Sequence, residues 1–166
     1  MNNTDNIVYL LLGGNLSNVK ETFISARQKI GLTLGEITKT SKLYQSKAWG
    51  FESSHFFLNQ VIKVTTNKSA KEVLDLSQSL ELELGRVKTK GQIGYESRVI
   101  DIDILYFNKD LINSGSLTIP HNAISERKFT LAPLAEIAPD FVHPILLKTN
   151  MELFQSCPDK SNVNSI

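Results

Sequence analysis

The chain has 166 residues, enough to close a hydrophobic core within a single domain, and its 41% apolar and 21% charged residues are ordinary for a globular protein. Eighteen Lys and Arg against 17 Asp and Glu leave a formal charge of +1, so no global basic field recruits nucleic acid, and an anionic ligand must meet a local cluster. One cysteine, Cys157, excludes an intramolecular disulfide and a Cys-rich zinc site. The polar start, Met1 to Asn6, lacks the layout of a signal peptide, and no apolar run approaches the ~20 residues that span a bilayer. The expectation is a soluble, cytoplasmic protein with one domain over 1–166.

Ile7 to Leu12 is a continuous apolar run ending at Gly13-Gly14, the pattern of a buried strand and a tight loop. Asn18 and Glu21 have capping-box spacing. Val19, Phe23, Ala26 and Ile30 follow at helical spacing, with Gly31 as a stop. Leu34 to Tyr44 is a looser strand, and Phe56 to Thr66 is a stronger one, rich in β-branched and aromatic residues. Between them, Gln45 to His55 has no period and carries Trp49, Gly50 and Phe51, which predicts an aromatic loop. Ser69 and Glu72 form a second capping box, opening a helix through Val73, Leu76, Leu80 and Leu84 that ends at Gly85.

Arg86 to Ser97 has two glycines, three basic residues and no hydrophobic period, and predicts a long mobile loop. Val99 to Phe107 is the clearest strand. A turn at Asn108-Lys109-Asp110 leads to a short partner strand near Leu111 and Ile112. Glu126 to Ile137 is predicted helical with an interruption at Pro133, and the polar stretch after Leu147, about 148–166, to fray. Strands mix with helices without strict alternation. An α+β sandwich, helices packed on a largely antiparallel sheet, fits better than a doubly wound parallel fold.

The sharpest chemical feature is Ile100-Asp101-Ile102-Asp103-Ile104. Alternation along a strand sends the isoleucines to one face and both aspartates to the other, ~6.5–7 Å apart. Carboxylates so placed repel unless a cation joins them, and hard oxygen ligands without sulfur or imidazole favour Mg²⁺; the alternative is a solvated charged face. Arg86, Lys88, Lys90 and Arg98 lie in or beside the preceding loop, which suits a metal-bridged polyphosphate or a simple solvated basic loop. Gln78 and Glu81 share a helix face, toward a nucleotide or toward solvent. Gly13-Gly14-Asn15 resembles a phosphate-binding turn but is neither a Walker A motif nor a dinucleotide fingerprint, and a plain strand-to-helix turn explains it as well. His55 and His143 have no partner at metal-ligand spacing. Trp49, Phe57 and Phe129 can stack on a flat heterocycle or fill the core.

Together the segments resemble the 6-hydroxymethyl-7,8-dihydropterin pyrophosphokinases of folate biosynthesis. The matching pieces are Leu12-Gly13-Gly14-Asn15-Leu16, Tyr44-Gln45-Ser46 with Trp49-Gly50, Phe57-Leu58-Asn59, Gln78-Ser79-Leu80-Glu81 and Gly85-Arg86-Val87. They continue through Ser97-Arg98-Val99-Ile100-Asp101-Ile102-Asp103-Ile104, Leu117-Thr118-Ile119-Pro120-His121, Glu126-Arg127-Lys128-Phe129 and Pro133 to Pro139. The resemblance implies a ferredoxin-like, three-layer α-β-α fold and pyrophosphoryl transfer from ATP to the pterin, with AMP leaving, by a monomer that binds neither nucleic acid nor membrane. It implies two Mg²⁺ ions held by Asp101 and Asp103, with Arg86 and Arg98 as catalytic cations. ATP contacts fall on Gln78, Glu81, Arg86, Arg98, Ile104, Thr118, His121 and Arg127. The pterin falls on Ser46, Trp49, Phe57, Asn59 and Phe129, with the two phenylalanines sandwiching the ring.

Some positions depart from the commonest family pattern. Gly14 stands for serine, Phe57 for tyrosine, Lys47 for proline, Ser116 for arginine and Tyr95 near a usual tryptophan, and the 86–97 loop is longer. Two rivals follow. One is a degenerate nucleotide-binding or regulatory protein. The other is a ferredoxin-like RNA-binding module, which the near-neutral charge and the lack of an RNP-type aromatic strand oppose.

Overall fold

In the first strand, β1 (Asn6–Gly14), Val8, Leu10 and Leu12 project to one side and Tyr9 and Leu11 to the other, and all five are buried. A strand apolar on both faces belongs at the centre of a sheet covered on both sides. The computed structural model describes residues 5–16, 18–47, 56–86 and 99–166. Among these, β1 pairs antiparallel with β4 (Phe57–Thr66) on one edge and β5 (Asp101–Phe107) on the other. The ten-residue β4 is long enough to take two partners on its far side. β2 (Glu36–Thr40) pairs with one end of it and β3 (Tyr44–Ser46) with the other.

The chain path β1, α1 (Val19–Thr33), β2, β4, α2 (Ala70–Glu83), β5 and the spatial order β5-β1-β4-β2 give the ferredoxin-like arrangement. One core lies beneath α1 and α2, where Phe23, Ala26, Ile30, Val73 and Leu80 meet Ile62, Val64, Ile102 and Ile104. The second lies beneath α3 (Lys128–Ile137) and α4 (Asn150–Gln155), where Leu131, Leu134 and Leu153 meet Tyr9, Leu11, Val61 and Leu105. These layers match the expected α-β-α sandwich. Each fully buried aliphatic side chain contributes roughly 1.5–3 kcal/mol of transfer free energy.

Local signals hold at most helix ends. Asn18 accepts from the Glu21 amide, and Ser69 and Glu72 make the complete reciprocal capping box. Gly31 is not the stop expected of it. It stays inside α1, which runs on to Thr33, and the chain turns at Gly35, where a Cβ would stand 2.1 Å from the Thr65 carbonyl oxygen. α2 does end at Gly85, in the left-handed region at φ 104°. The Arg86 amide reaches back to the Glu81 carbonyl there.

Three further expectations are corrected. Pro133 does not interrupt α3, because the helix buries Leu131, Leu134 and Ile137 around it and packing outweighs one missing amide. The strand after the Asn108 turn, β6 (Ile112–Ser114), pairs not with β5 but with β7 (Leu117–Ile119) in a separate ribbon. Residues 148–166 do not fray. Thr149 and Glu152 form a capping box that opens α4, Leu153 and Cys157 are buried, and β8 (Val163–Ser165) pairs with β3. Composition misled because the tail is held by a few well-placed groups rather than by an apolar stripe.

Asn150 is the firmest of these. It is fully buried, accepts from the Tyr106 hydroxyl at 2.8 Å and donates to the Ala138 carbonyl at 2.8 Å. Asn150→Ala orphans both partners and is expected to cost about 2–4 kcal/mol, and Tyr106→Phe about 1–2 kcal/mol. Urea unfolding checks the order; an Asn150→Ala variant as stable as the parent shows the bonds to be dispensable.

Candidate active site

β-sheet register builds the site. Asp101 lies opposite Gly13, Gly13 opposite Asn59, and Asn59 opposite Tyr44; Ser46 lies opposite Phe57. Directly paired residues share a face, so the aspartate and the asparagine stand in one row, ~10 Å apart across a glycine. Asp103 occupies the same face one step on, opposite Leu11, while Ile100, Ile102 and Ile104 enter the core on the reverse side. This is the alternation expected of that strand. Gly13 is needed for room, since a Cβ there would come within 3.0 Å of Asn59 Oδ1.

The acidic end is organised by Glu81. Its side chain is almost fully buried, accepting the Ile102 amide on Oε1 at 2.7 Å and the Arg86 guanidinium on Oε2. Arg86 also donates to Asp101 Oδ1 at 3.2 Å. Burial, and secondarily the nearby Asp101, push the Glu81 carboxyl up despite the stabilising Ile102 and Arg86 contacts. Burial opposes the charge on Arg86, but Glu81, Asp101 and Asp103 together outweigh it and hold the guanidinium more firmly protonated. Three carboxylates, Glu81, Asp101 and Asp103, thus gather around the Arg86 guanidinium. The donor set therefore suits an added hard cation, with Asp101 and Asp103 as ligands and water or phosphate completing its shell. Among the described residues, no group of three or more His, Cys, Asp and Glu encloses a metal by itself.

His121 sits beside this cluster. Burial, with Arg127 adding to it, lowers its pKa against an opposing pull from Asp101. Its Nδ1 accepts from the Ala123 amide at 3.2 Å, so the neutral ring carries its proton on Nε2. Arg127 lies 5.7 Å over the Phe129 ring, joining an expected ATP residue to an expected pterin residue. Thr118 is exposed on β7, and Gln78 is exposed one turn before the buried Glu81, so the expected shared face divides at the helix edge. The Ile104 side chain belongs to the core. Because Ile102 turns its amide outward, the main chain of Ile104 follows it to the open edge of β5.

At the other end, Ser46 and Asn59 are each 3% exposed. Their Oγ and Nδ2 atoms have no hydrogen-bond partner among the described residues. Buried polar atoms without partners cost about 1–3 kcal/mol each and are rare outside sites that meet a ligand. Arg98 and Trp49, with Lys88, Lys90 and Tyr95, lie outside the described residues. The spacing of residues missed two things. Gly13 makes space for Asn59, and Glu81 anchors strand β5; only the pairing register exposes either.

An acidic strand and a buried polar pair without partners among the described residues share one face of an α+β sheet, an arrangement that suits a polar ligand. The sequence model of 7,8-dihydro-6-hydroxymethylpterin-pyrophosphokinase matches residues 9–139. The Aquifex aeolicus 2-amino-4-hydroxy-6-hydroxymethyldihydropteridine pyrophosphokinase is 40% identical over 85% of this chain and 86% of that protein. The Bacillus subtilis enzyme of the same name is 37% identical over 80% and 78%. The Pneumocystis carinii folic acid synthesis protein fol1 is 41% identical over 87% of this chain, which spans only 19% of that protein's length. A crystal structure of Plasmodium falciparum HPPK-DHPS shares the fold, with a TM-score of 0.75 and 18% identity over 91% of this chain and 44% of that one. The chain belongs to the 7,8-dihydro-6-hydroxymethylpterin-pyrophosphokinase family.

The Glu81 geometry generates a paired expectation. Glu81→Ala leaves the Ile102 amide unmatched and takes from Arg86 one of its two carboxylate partners, and should cost about 3 kcal/mol or more; Glu81→Gln, which keeps an acceptor, should cost less. The raised folded pKa means the native state binds this proton more tightly than the unfolded one. Wild type therefore loses stability relative to Glu81→Gln as pH rises from the ordinary glutamate range through the raised value. Melting temperatures across that range check the sign, and a gap that widens the other way refutes it.

Proposed function

We propose that this chain, as a single-domain cytoplasmic monomer, transfers the pyrophosphoryl group of ATP to the hydroxymethyl group of 6-hydroxymethyl-7,8-dihydropterin, releasing AMP, in folate biosynthesis. The observation that carries the reading is the pair of buried atoms without a partner among the described residues, Ser46 Oγ and Asn59 Nδ2, on the sheet face that also carries Asp101 and Asp103. A flat, amide-edged heterocycle satisfies the pair and stacks between Phe57 and Phe129, with Trp49 beside it. From there its hydroxymethyl group points along the row toward the aspartates.

Asp101 and Asp103 would hold the two Mg²⁺ ions. When bound, these would supply positive charge against the ATP phosphates and against the charge that develops in transfer. Arg86 and Arg98 supply further positive charge to the phosphates, and Arg127 extends it toward the pterin side. Neutral His121 donates through Nε2 without needing protonation near neutral pH. Gln78, Thr118 and the main chain of Ile104 line the nucleotide. Both Glu81 oxygens are occupied, so it contributes by fixing Arg86 and Ile102. The chemistry is positioning and charge neutralisation, attack by the pterin hydroxyl on the β-phosphorus in line with the departing AMP.

Incubation with ATP, Mg²⁺ and the pterin should release AMP only when the pterin is present. Asp101→Asn and Asp103→Asn are each expected to lower kcat/KM by about 10²–10³-fold, on the scale of losing a major electrostatic element. Pterin-independent AMP, or none, removes the reading; near-normal turnover in both variants removes the metal assignment.

A further inference from the structure

Helix α3 begins with an electrostatic conflict. Its N-cap residue is Arg127, a cation at the positive end of the helix dipole, and no side chain of its own caps it. The missing cap comes from the tail, past the residues 9–139 that the family's sequence model matches. Asp159 Oδ2 accepts the Lys128 amide, the first of the helix, at 3.1 Å. The other carboxylate oxygen is fixed by Ser161, through its amide at 3.0 Å and its hydroxyl at 2.6 Å. The Lys128 ammonium closes the loop by donating to the Ser161 carbonyl at 3.2 Å.

The same tail segment is tied down at both ends. Cys157 is buried in the second core, and past Ser161 the chain becomes β8, where Val163 pairs with Ser46 and Ile166 donates its amide to the Leu43 carbonyl at 2.9 Å. One strap thus joins the start of α3, which carries Phe129, to β3, which carries Ser46 and pairs with Phe57. These are the two walls of the pterin slot in the function proposed above, on which this inference rests.

We propose that Asp159 is a positioning residue for the pterin: by capping α3 from the C-terminal strap, it fixes Phe129 against the sheet face bearing Phe57, Ser46 and Asn59. Asp159 touches no reacting atom in this assignment. Its acceptor bonds with Ser161 and Lys128 hold its carboxyl below the usual range against the opposing effect of burial, consistent with an ionised cap near neutral pH.

The test measures the Kd of the full-length protein for 6-hydroxymethyl-7,8-dihydropterin, by fluorescence, with a non-hydrolysable ATP analogue and Mg²⁺ present. Asp159→Ala is expected to weaken binding about five- to tenfold, and Asp159→Asn, which keeps a neutral acceptor, only about twofold. The kcat at saturating pterin should fall less than the affinity. A lowered melting temperature with an unchanged pterin Kd in Asp159→Ala would falsify the positioning role and leave Asp159 purely structural. Should Asp159→Ala not fold, Asp159→Asn decides, and a Kd equal to that of the parent overturns the proposal. AMP release by the unsubstituted protein, measured alongside, separates the two claims. Absence of pterin-dependent AMP removes the parent function, whereas pterin-dependent AMP with an unaltered Kd removes only the strap's role.

Discussion

The carboxylate of Glu81 is the interaction on which the acidic end of the site depends. A carboxylate withdrawn from water needs its lone pairs filled, and here one oxygen takes the amide of an edge strand and the other takes a guanidinium. The first bond fixes α2 against β5 at Ile102, immediately after Asp101. The second places Arg86 where it also meets Asp101. Gly85 makes this possible, since its left-handed conformation turns the chain so that Arg86 folds back on the helix it has just left. Among the described residues, three carboxylates gather around the Arg86 guanidinium. In the proposed function this acidic end receives cations and, through them, phosphate.

The second constraint is the division of the sheet into two faces with different duties. On the face toward α1 and α2, the isoleucines of β5 and the even residues of β1 bury continuous aliphatic surface. On the opposite face, α3 and α4 cover Leu11, Val61 and Leu105, and the row beyond them carries Asp101, Gly13 and Asn59. Polar side chains therefore occupy one end of a face whose other end is ordinary core. The core supplies the rigidity that functional side chains need. Gly13 separates the acid from the amide without filling the space between them, where a Cβ would stand 3.0 Å from Asn59 Oδ1.

Much of this was legible in the sequence because it rests on short-range rules. Period-two alternation predicted the faces of Asp101 and Asp103, capping pairs predicted the starts of α1 and α2, and Gly85 predicted the end of α2. What sequence could not give is pairing between distant segments. Nothing local says that Gly13 faces Asn59, that Glu81 is buried beside its exposed neighbour Gln78, or that β6 pairs with β7. Gly31 and Pro133 were misread for one reason: local propensity is worth about 1–3 kcal/mol, and a buried helix face outweighs it. The tail was misread for another. Its order comes from Asn150, Asp159 and a three-residue strand, none of which leaves a hydrophobic period.

Arg127 explains why so remote a brace exists. At a helix N-cap, Ser, Thr, Asp or Asn would satisfy the first amides locally, while arginine leaves them open and sets positive charge against the helix dipole. In a position without function that choice would be a defect. Beside His121, with its guanidinium over Phe129, it joins the residues proposed for the nucleotide to those proposed for the pterin. The demand of the ligand and the demand of the helix cannot both be met by residue 127. The sequence meets them separately, keeping the cation at the helix start and bringing the capping carboxylate from thirty-one residues downstream. Sequences break local rules where function requires it and compensate elsewhere. Here the compensation is Asp159, and its bond joins the tail to the wall of the site.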